Sequence, residues 1–160
     1  MVSEKIKKHS SLPKTILITG LIAGTLDICA ATIKYLVTTR KNPVHLYYFI
    51  ASGVFGDDAT TGNLMMAVWG LLFHYSIALI FTAFYFLVYP KIKFLSRNIV
   101  LSGLAYGLFT WLIMNVIVLP LSNTPAIPFN PLQAIVSALI LMFAIGLPVA
   151  ILTYRYYLRE

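Results

Sequence analysis

The sequence has few of the residues on which several common classes of protein depend. Its 12 basic and 5 acidic residues make up only 11% of the 160-residue chain, whereas about 25% is usual in a soluble domain. Cys29 is the single cysteine, so a disulfide within the chain is excluded. These shortages exclude an ordinary soluble domain, a disordered chain and a disulfide-stabilised scaffold.

Recognisable catalytic and metal-binding motifs are missing as well. His-x-x-x-His, His-Glu-x-x-His and Gly-x-Ser-x-Gly do not occur, nor does Cys-x-x-Cys or Met-x-x-Met. The sequence therefore predicts neither an enzyme nor a metal or cofactor site.

Long apolar runs are what the sequence does contain, since 59% of its residues are hydrophobic. Four runs reach the roughly 20 residues that a helix needs to cross a bilayer. A fifth, over residues 43–52, is too short to span and is typical of an extracellular interfacial or re-entrant helix. The sequence predicts an all-α membrane protein, a four-transmembrane-helix bundle forming one domain over residues 1–160. The predicted spans are residues 15–37, 64–89, 99–119 and 132–153.

The net charge of +7 comes from basic residues at the ends of the apolar runs, which argues against nucleic-acid binding. Nine of the 12 basic residues lie on the side that carries both termini, and two lie on the other side. The positive-inside rule then places the N- and C-termini in the cytoplasm. Aromatic residues at the inner ends of the spans, Tyr85 and Tyr89 among them, are expected to anchor the helices at the membrane interface.

Polar residues inside the first span lie on one stripe of small residues. Gly20, Gly24, Asp27, Ala31 and Lys34 recur at spacings of three and four, which places them on one face of a helix. A charge at the bilayer centre costs about 2.5–3.5 kcal/mol on insertion scales, so this face should point at other helices. The two glycines would let a neighbouring helix approach closely.

The second and third spans add polar residues at similar depths. His74 lies at about the depth of Asp27, roughly 15 Å from the outer surface, and Asn115 lies nearer that surface, level with Lys34. These four residues predict a polar cavity that is open to the outside and closed below by Leu and Phe side chains. Whether Asp27 and His74 touch is left open by the sequence.

Two functional interpretations follow. The first is proton-linked transport or permeation of a small polar solute or ion, with Asp27, Lys34, His74 and Asn115 binding the proton or ligand. The second is a non-transporting scaffold, subunit or acid-stress protein whose polar core only fixes helix packing. Besides the lipid bilayer, the expected partner is a second copy of the chain, packed through Gly103 and Gly107 of the third span.

Several short motifs resemble the YagU-type family of small bacterial inner-membrane proteins. The family's order of a glycine-rich first span, a His-containing second span, a basic turn and a glycine-rich third span is similar here over roughly 100 residues. The first loop is shorter here, and the C-terminal span differs. The resemblance implies a bacterial inner-membrane location and a link to acid tolerance, and it supplies no catalytic residues. The matching motifs are Gly20-Leu-Ile-Ala-Gly24, Phe73-His74, Tyr89-Pro90-Lys91-Ile92-Lys93, Gly103-Leu-Ala and Leu119-Pro120-Leu121.

Overall fold

A computed structural model describes residues 11–126 and 128–158, and every regular element in those residues is helical. Four of the helices are long and apolar enough to cross a membrane. The prediction of an all-helical protein with four such segments is therefore confirmed. In chain order the helices are α1 (Leu12–Thr39), α2 (Val44–Phe55), α3 (Leu64–Val88), α4 (Lys93–Arg97), α5 (Ile99–Leu121) and α6 (Pro131–Tyr157).

Three of the long helices begin directly after an asparagine. The side-chain oxygens of Asn63, Asn98 and Asn130 accept hydrogen bonds from backbone N–H groups in the first turns of α3, α5 and α6. Because the first N–H groups of a helix have no partner within it, such caps stabilise the helix start by about 1 kcal/mol. These caps therefore help fix where each helix begins.

Small residues let the helices approach one another closely. α1 packs along α3 and α6, and α5 packs along α6. On the α1 side, a Cβ atom added to Gly20 would come within 2.6 Å of the Leu79 side chain, and one on Gly24 would come within 3.0 Å of Tyr75. The glycine stripe of α1 therefore faces α3, which brings the mid-helix polar residues of both helices to one interface.

The crossing of α5 and α6 depends on three glycines of the same chain. A Cβ atom on Gly146 would overlap the carbonyl oxygen of Gly103, and one on Gly107 would overlap the backbone at Met142. Gly103 and Gly107, expected to meet a second copy, thus contact α6 of the same chain, and the expectation of a second copy as partner stays a prediction. The α6 backbone of the same chain, with no Cβ at Gly146, already occupies that surface.

Both α5 and α6 contain a π-helical segment directly before a Leu-Pro pair. The segments are Met114–Val118, before Pro120, and Met142–Gly146, before Pro148. In each, the N–H of the leucine donates to the carbonyl of the methionine five residues earlier. Proline disturbs the hydrogen bonds of the turn before it, and a π turn is one way in which a helix absorbs that disturbance.

The outer surface of the four long helices is apolar. Large aliphatic side chains point away from the bundle, among them Val37, Ile80, Val100 and Val116. Such a surface suits lipid, since hydrocarbon tails solvate it as readily as another protein would.

The half of the bundle that contains the start of α1 and the end of α6 is filled by tyrosines. Tyr85 is only 1% exposed and its hydroxyl lies 2.5 Å from the Ser102 hydroxyl, while the Tyr106 hydroxyl donates to the Phe81 carbonyl at 2.5 Å. Tyr89 is buried beside them. The expectation that Tyr85 and Tyr89 are interfacial anchors is wrong, because both side chains are buried inside the bundle. A buried tyrosine is tolerated where its hydroxyl finds a hydrogen-bond partner, as that of Tyr85 does.

Removing one of these hydroxyls should weaken the bundle. The Tyr106→Phe variant loses its hydrogen bond to α3, which in a membrane is worth about 0.6–2 kcal/mol, so we expect its free energy of unfolding to fall by about 1 kcal/mol. Tyr35→Phe is the control, since no hydrogen bond of the Tyr35 hydroxyl is present in the described part of the chain. Thermal denaturation in detergent measures both variants, and equal stability of the two would contradict the assignment.

Candidate functional site

A cavity of about 470 Å³ lies among α1, α3, α5 and α6, with α2 along one side. The four residues predicted as a site, Asp27, Lys34, His74 and Asn115, all line it. Most of the rest of its wall is apolar and aromatic. The cavity is therefore mainly apolar and contains a few polar groups, as small-molecule sites usually do.

Asp27 is the least satisfied polar residue of the cavity. Its Oδ1 atom is buried and has no hydrogen-bond partner in the described residues. An isolated carboxylate away from water costs several kcal/mol, so such groups normally pair, take up a proton or meet water or a ligand. The carboxyl group of Asp27 is accordingly available for a proton or for a donor group that enters the cavity.

The His74 ring bonds to the α1 backbone. Its Nε2 atom lies 2.8 Å from the carbonyl oxygen of Gly24, one helical turn from Asp27. Because a carbonyl oxygen can only accept, Nε2 carries the hydrogen of this bond and Nδ1 is left to accept or bind a proton. His74 and Asp27 thus line the same cavity, and the His74 ring forms its hydrogen bond with the backbone of α1.

Lys34 lies towards the α2 end of the cavity and links two helices. Its Nζ donates to the carbonyl oxygen of Gln133 in α6 at 3.2 Å. Lys34 follows Asp27 by seven residues, which corresponds to about 10 Å of helix rise. The ammonium group thus uses a backbone acceptor of α6, while Oδ1 of Asp27 remains without a partner.

Asn115 belongs to the π segment of α5 and is the most exposed of the four residues. Its side-chain amide donates to the carbonyl of Trp111 at 2.9 Å, and the indole N–H of Trp111 donates to the Ser137 hydroxyl at 3.0 Å. Trp111, Ser137 and Thr110 also line the cavity, although the sequence did not predict Trp111 or Thr110 there. The spacing of four between Trp111 and Asn115 placed both on one helix face and was the available signal.

Helix α2 forms the side of the cavity away from the tyrosines. It lies so close to α3 that a Cβ atom on Gly70 would overlap the Tyr47 carbonyl oxygen. The backbone and side chain of Asn123 hold its C-terminal end, bonding to the carbonyls of Gly53 and Val54. The residues of α2 that line the cavity are apolar, and the expectation of a polar cavity open to the outside stays a prediction.

The opposite end is closed by aromatic residues. Phe81 lines the cavity, and beyond it Tyr106 bonds to the Phe81 carbonyl and packs on Tyr85, with ring centroids 4.6 Å apart. The expected closure by Leu and Phe is therefore corrected to Phe81 and a tyrosine layer. Solute movement through this end would require the tyrosines to separate.

The described residues contain no group of three or more His, Cys, Asp or Glu side chains placed to hold a metal ion.

No family model, no curated protein and no solved structure matches the chain.

Proposed function

We propose that this chain is a small integral membrane protein that moves a small polar solute or ion through the cavity, with proton exchange at Asp27 and His74. The observation that carries the proposal is the buried, unpartnered Oδ1 atom of Asp27 in the wall of a 470 Å³ cavity. Ionisable residues inside spanning helices commonly mark such pathways.

A purely structural role for Asp27 would leave a different pattern. A carboxyl group that holds two helices in register bonds to the second helix. Glycine contacts already join α1 to α3, tyrosine hydrogen bonds join α3 to α5, and Oδ1 of Asp27 has no hydrogen bond to any helix in the described residues. Burial of Asp27 costs free energy, and its Oδ1 atom does not join the helices, which favours a role in binding.

Asp27 and His74 together suit proton exchange. Histidine is the side chain that changes charge most readily near neutral pH, and His74 keeps Nδ1 available while Nε2 bonds to Gly24. A proton that arrives at Asp27 or His74 alters the charge of the cavity, so solute binding and protonation are coupled.

The same proposal includes placement in a bacterial inner membrane with both termini in the cytoplasm, as the distribution of basic residues and the YagU-type resemblance favour. Helix α2 is then an extracellular re-entrant segment. Its contact with Gly70, six residues into α3, supports this placement, because six residues correspond to about 9 Å of depth.

The alternative is a non-transporting scaffold, subunit or acid-stress protein. The hydrogen bond from Lys34 to the Gln133 carbonyl favours it, since this contact ties α1 to α6 and satisfies part of the charge without any solute. Under this alternative, loss of Asp27 harms assembly before it harms any flux.

Flux through reconstituted protein tests the proposal. We expect proteoliposomes containing the wild type to carry protons or small ions, and Asp27→Asn to reduce that flux at least tenfold while its melting temperature stays within a few degrees. Asp58→Asn is the control, because Asp58 is exposed and outside the cavity lining. A wild type without flux, together with an Asp27→Asn variant that melts early, would support the scaffold.

A further inference from the structure

We propose that the preferred solute is a zwitterion whose cationic and anionic ends are about 10 Å apart and are joined by an apolar middle, the form of a short apolar peptide. This inference rests on the proposed function, whose site it assigns to a substrate class.

Two residues of opposite formal charge lie in the wall of one cavity. Asp27 and Lys34 both line it, and their positions on α1 separate them by about 10 Å along the helix axis. The formal charges of Asp27 and Lys34 are opposite and cancel. A neutral molecule with charges at both ends therefore suits the cavity better than a simple cation or a simple anion.

Each charged group also has unused bonding capacity. Within the described part of the chain, Oδ1 of Asp27 has no hydrogen-bond partner, and one of the three N–H donors of Lys34 meets the Gln133 carbonyl. A bound ammonium group would supply donors to Asp27, and a bound carboxylate would accept from Lys34. Both interactions are charge-assisted hydrogen bonds, the stronger kind.

The rest of the cavity lining fits an apolar middle. Phe49, Phe73 and Ile77 face the cavity from α2 and α3, and Met114 and Leu141 face it from α5 and α6. A simple cation would be attracted by Asp27 and repelled by Lys34. A simple anion would be attracted by Lys34 and repelled by Asp27. Only a zwitterion with an apolar body satisfies the whole lining.

Size narrows the class further. The volume of 470 Å³ lies in the usual range for small-molecule sites, about 300–1,000 Å³. An extended peptide advances about 3.3–3.6 Å per residue, so three residues place the terminal charges about 10 Å apart. A single amino acid, whose charges are adjacent, cannot reach both groups.

The experiment measures binding of the tripeptide alanyl-valyl-alanine to the full chain in nanodiscs by calorimetry. Its N-acetylated form removes the cation, its C-amidated form removes the anion, and free valine removes the separation. We expect the zwitterion to bind and each of the other three to bind about ten- to a hundredfold more weakly, the value of a charged hydrogen bond. Equal binding of all four, or no binding of the zwitterion, overturns the proposal.

A variant then assigns the anionic end. In Lys34→Gln, the amidated and free tripeptides should bind equally, whereas Lys41→Gln, which removes an exposed charge outside the cavity lining, should keep their difference. Persistence of the difference in Lys34→Gln contradicts the assignment. Because the wild type with capped peptides already tests the proposal, it does not depend on a variant that folds.

Two failures can be told apart. Proton or ion flux without zwitterion selectivity overturns this inference and leaves the proposed function in place. Selective peptide binding without any flux or peptide uptake in proteoliposomes supports the inference on ligand class and contradicts transport.

Discussion

Tryptophan in place of Ile77 should stop transport without unfolding the protein. Ile77 lines the cavity from α3, and the larger indole would occupy space that the solute needs. A cavity of about 470 Å³ gives the ring room, so the cost in packing should be small compared with a fully filled core. We expect flux in proteoliposomes to fall to the level of empty vesicles, with the melting temperature changed by only a few degrees.

The matched control is Ile80→Trp on the same helix. Ile80 is 67% exposed on the outer surface of the bundle, where added volume meets lipid. Its flux should equal that of the wild type. If Ile77→Trp and Ile80→Trp carry equal flux, the cavity is not the pathway.

Alanine in place of Gly146 should destabilise the bundle strongly. The added methyl group would overlap the backbone carbonyl of Gly103, which cannot rotate away as a side chain could. The two helices must then move apart and lose contact along their crossing, at a cost of about 2–3 kcal/mol. Thermal denaturation in detergent should show the loss as a markedly lower melting temperature.

Gly53→Ala separates this effect from helix propensity. At Gly53 the nearest atoms would lie 3.7 Å from the new methyl group, which is ordinary contact, and alanine favours a helix by about 1 kcal/mol over glycine. This variant should therefore be unchanged or slightly more stable. Similar melting temperatures for the two alanine variants would show that the crossing of α5 and α6 is not tight.

The features that were predictable from sequence are those with a local physical signature. Four apolar runs fix four long helices, since no other element satisfies the backbone in lipid. The spacing of Asp27 and Lys34 on one face of α1 and the equal depth of His74 placed these residues near one another, and all of them line the cavity.

Features that depend on contacts between distant segments could not be predicted. The burial of Tyr85 depends on Ser102, 17 residues further on, and the use of Gly103 depends on Gly146 in another helix. The apolar pattern of α2 permits an interfacial or a re-entrant position equally. Contact with α3, a distant segment, is what places α2 against the cavity. Sequence periodicity carries no information about which partner a face will meet.

Access of water to residue 77 from one side of the membrane tests the central claim, a solute-accessible cavity at Asp27, most directly. Ile77→Cys and Ile80→Cys would each be made with Cys29→Ser, and a membrane-impermeant thiol reagent would be added to either face of sealed proteoliposomes. We expect the cysteine at position 77 to react from the face on which α2 lies and the one at position 80 to stay unmodified. An unreactive cysteine at position 77 from both faces would mean that the cavity is sealed, and that Asp27 is a structural residue after all.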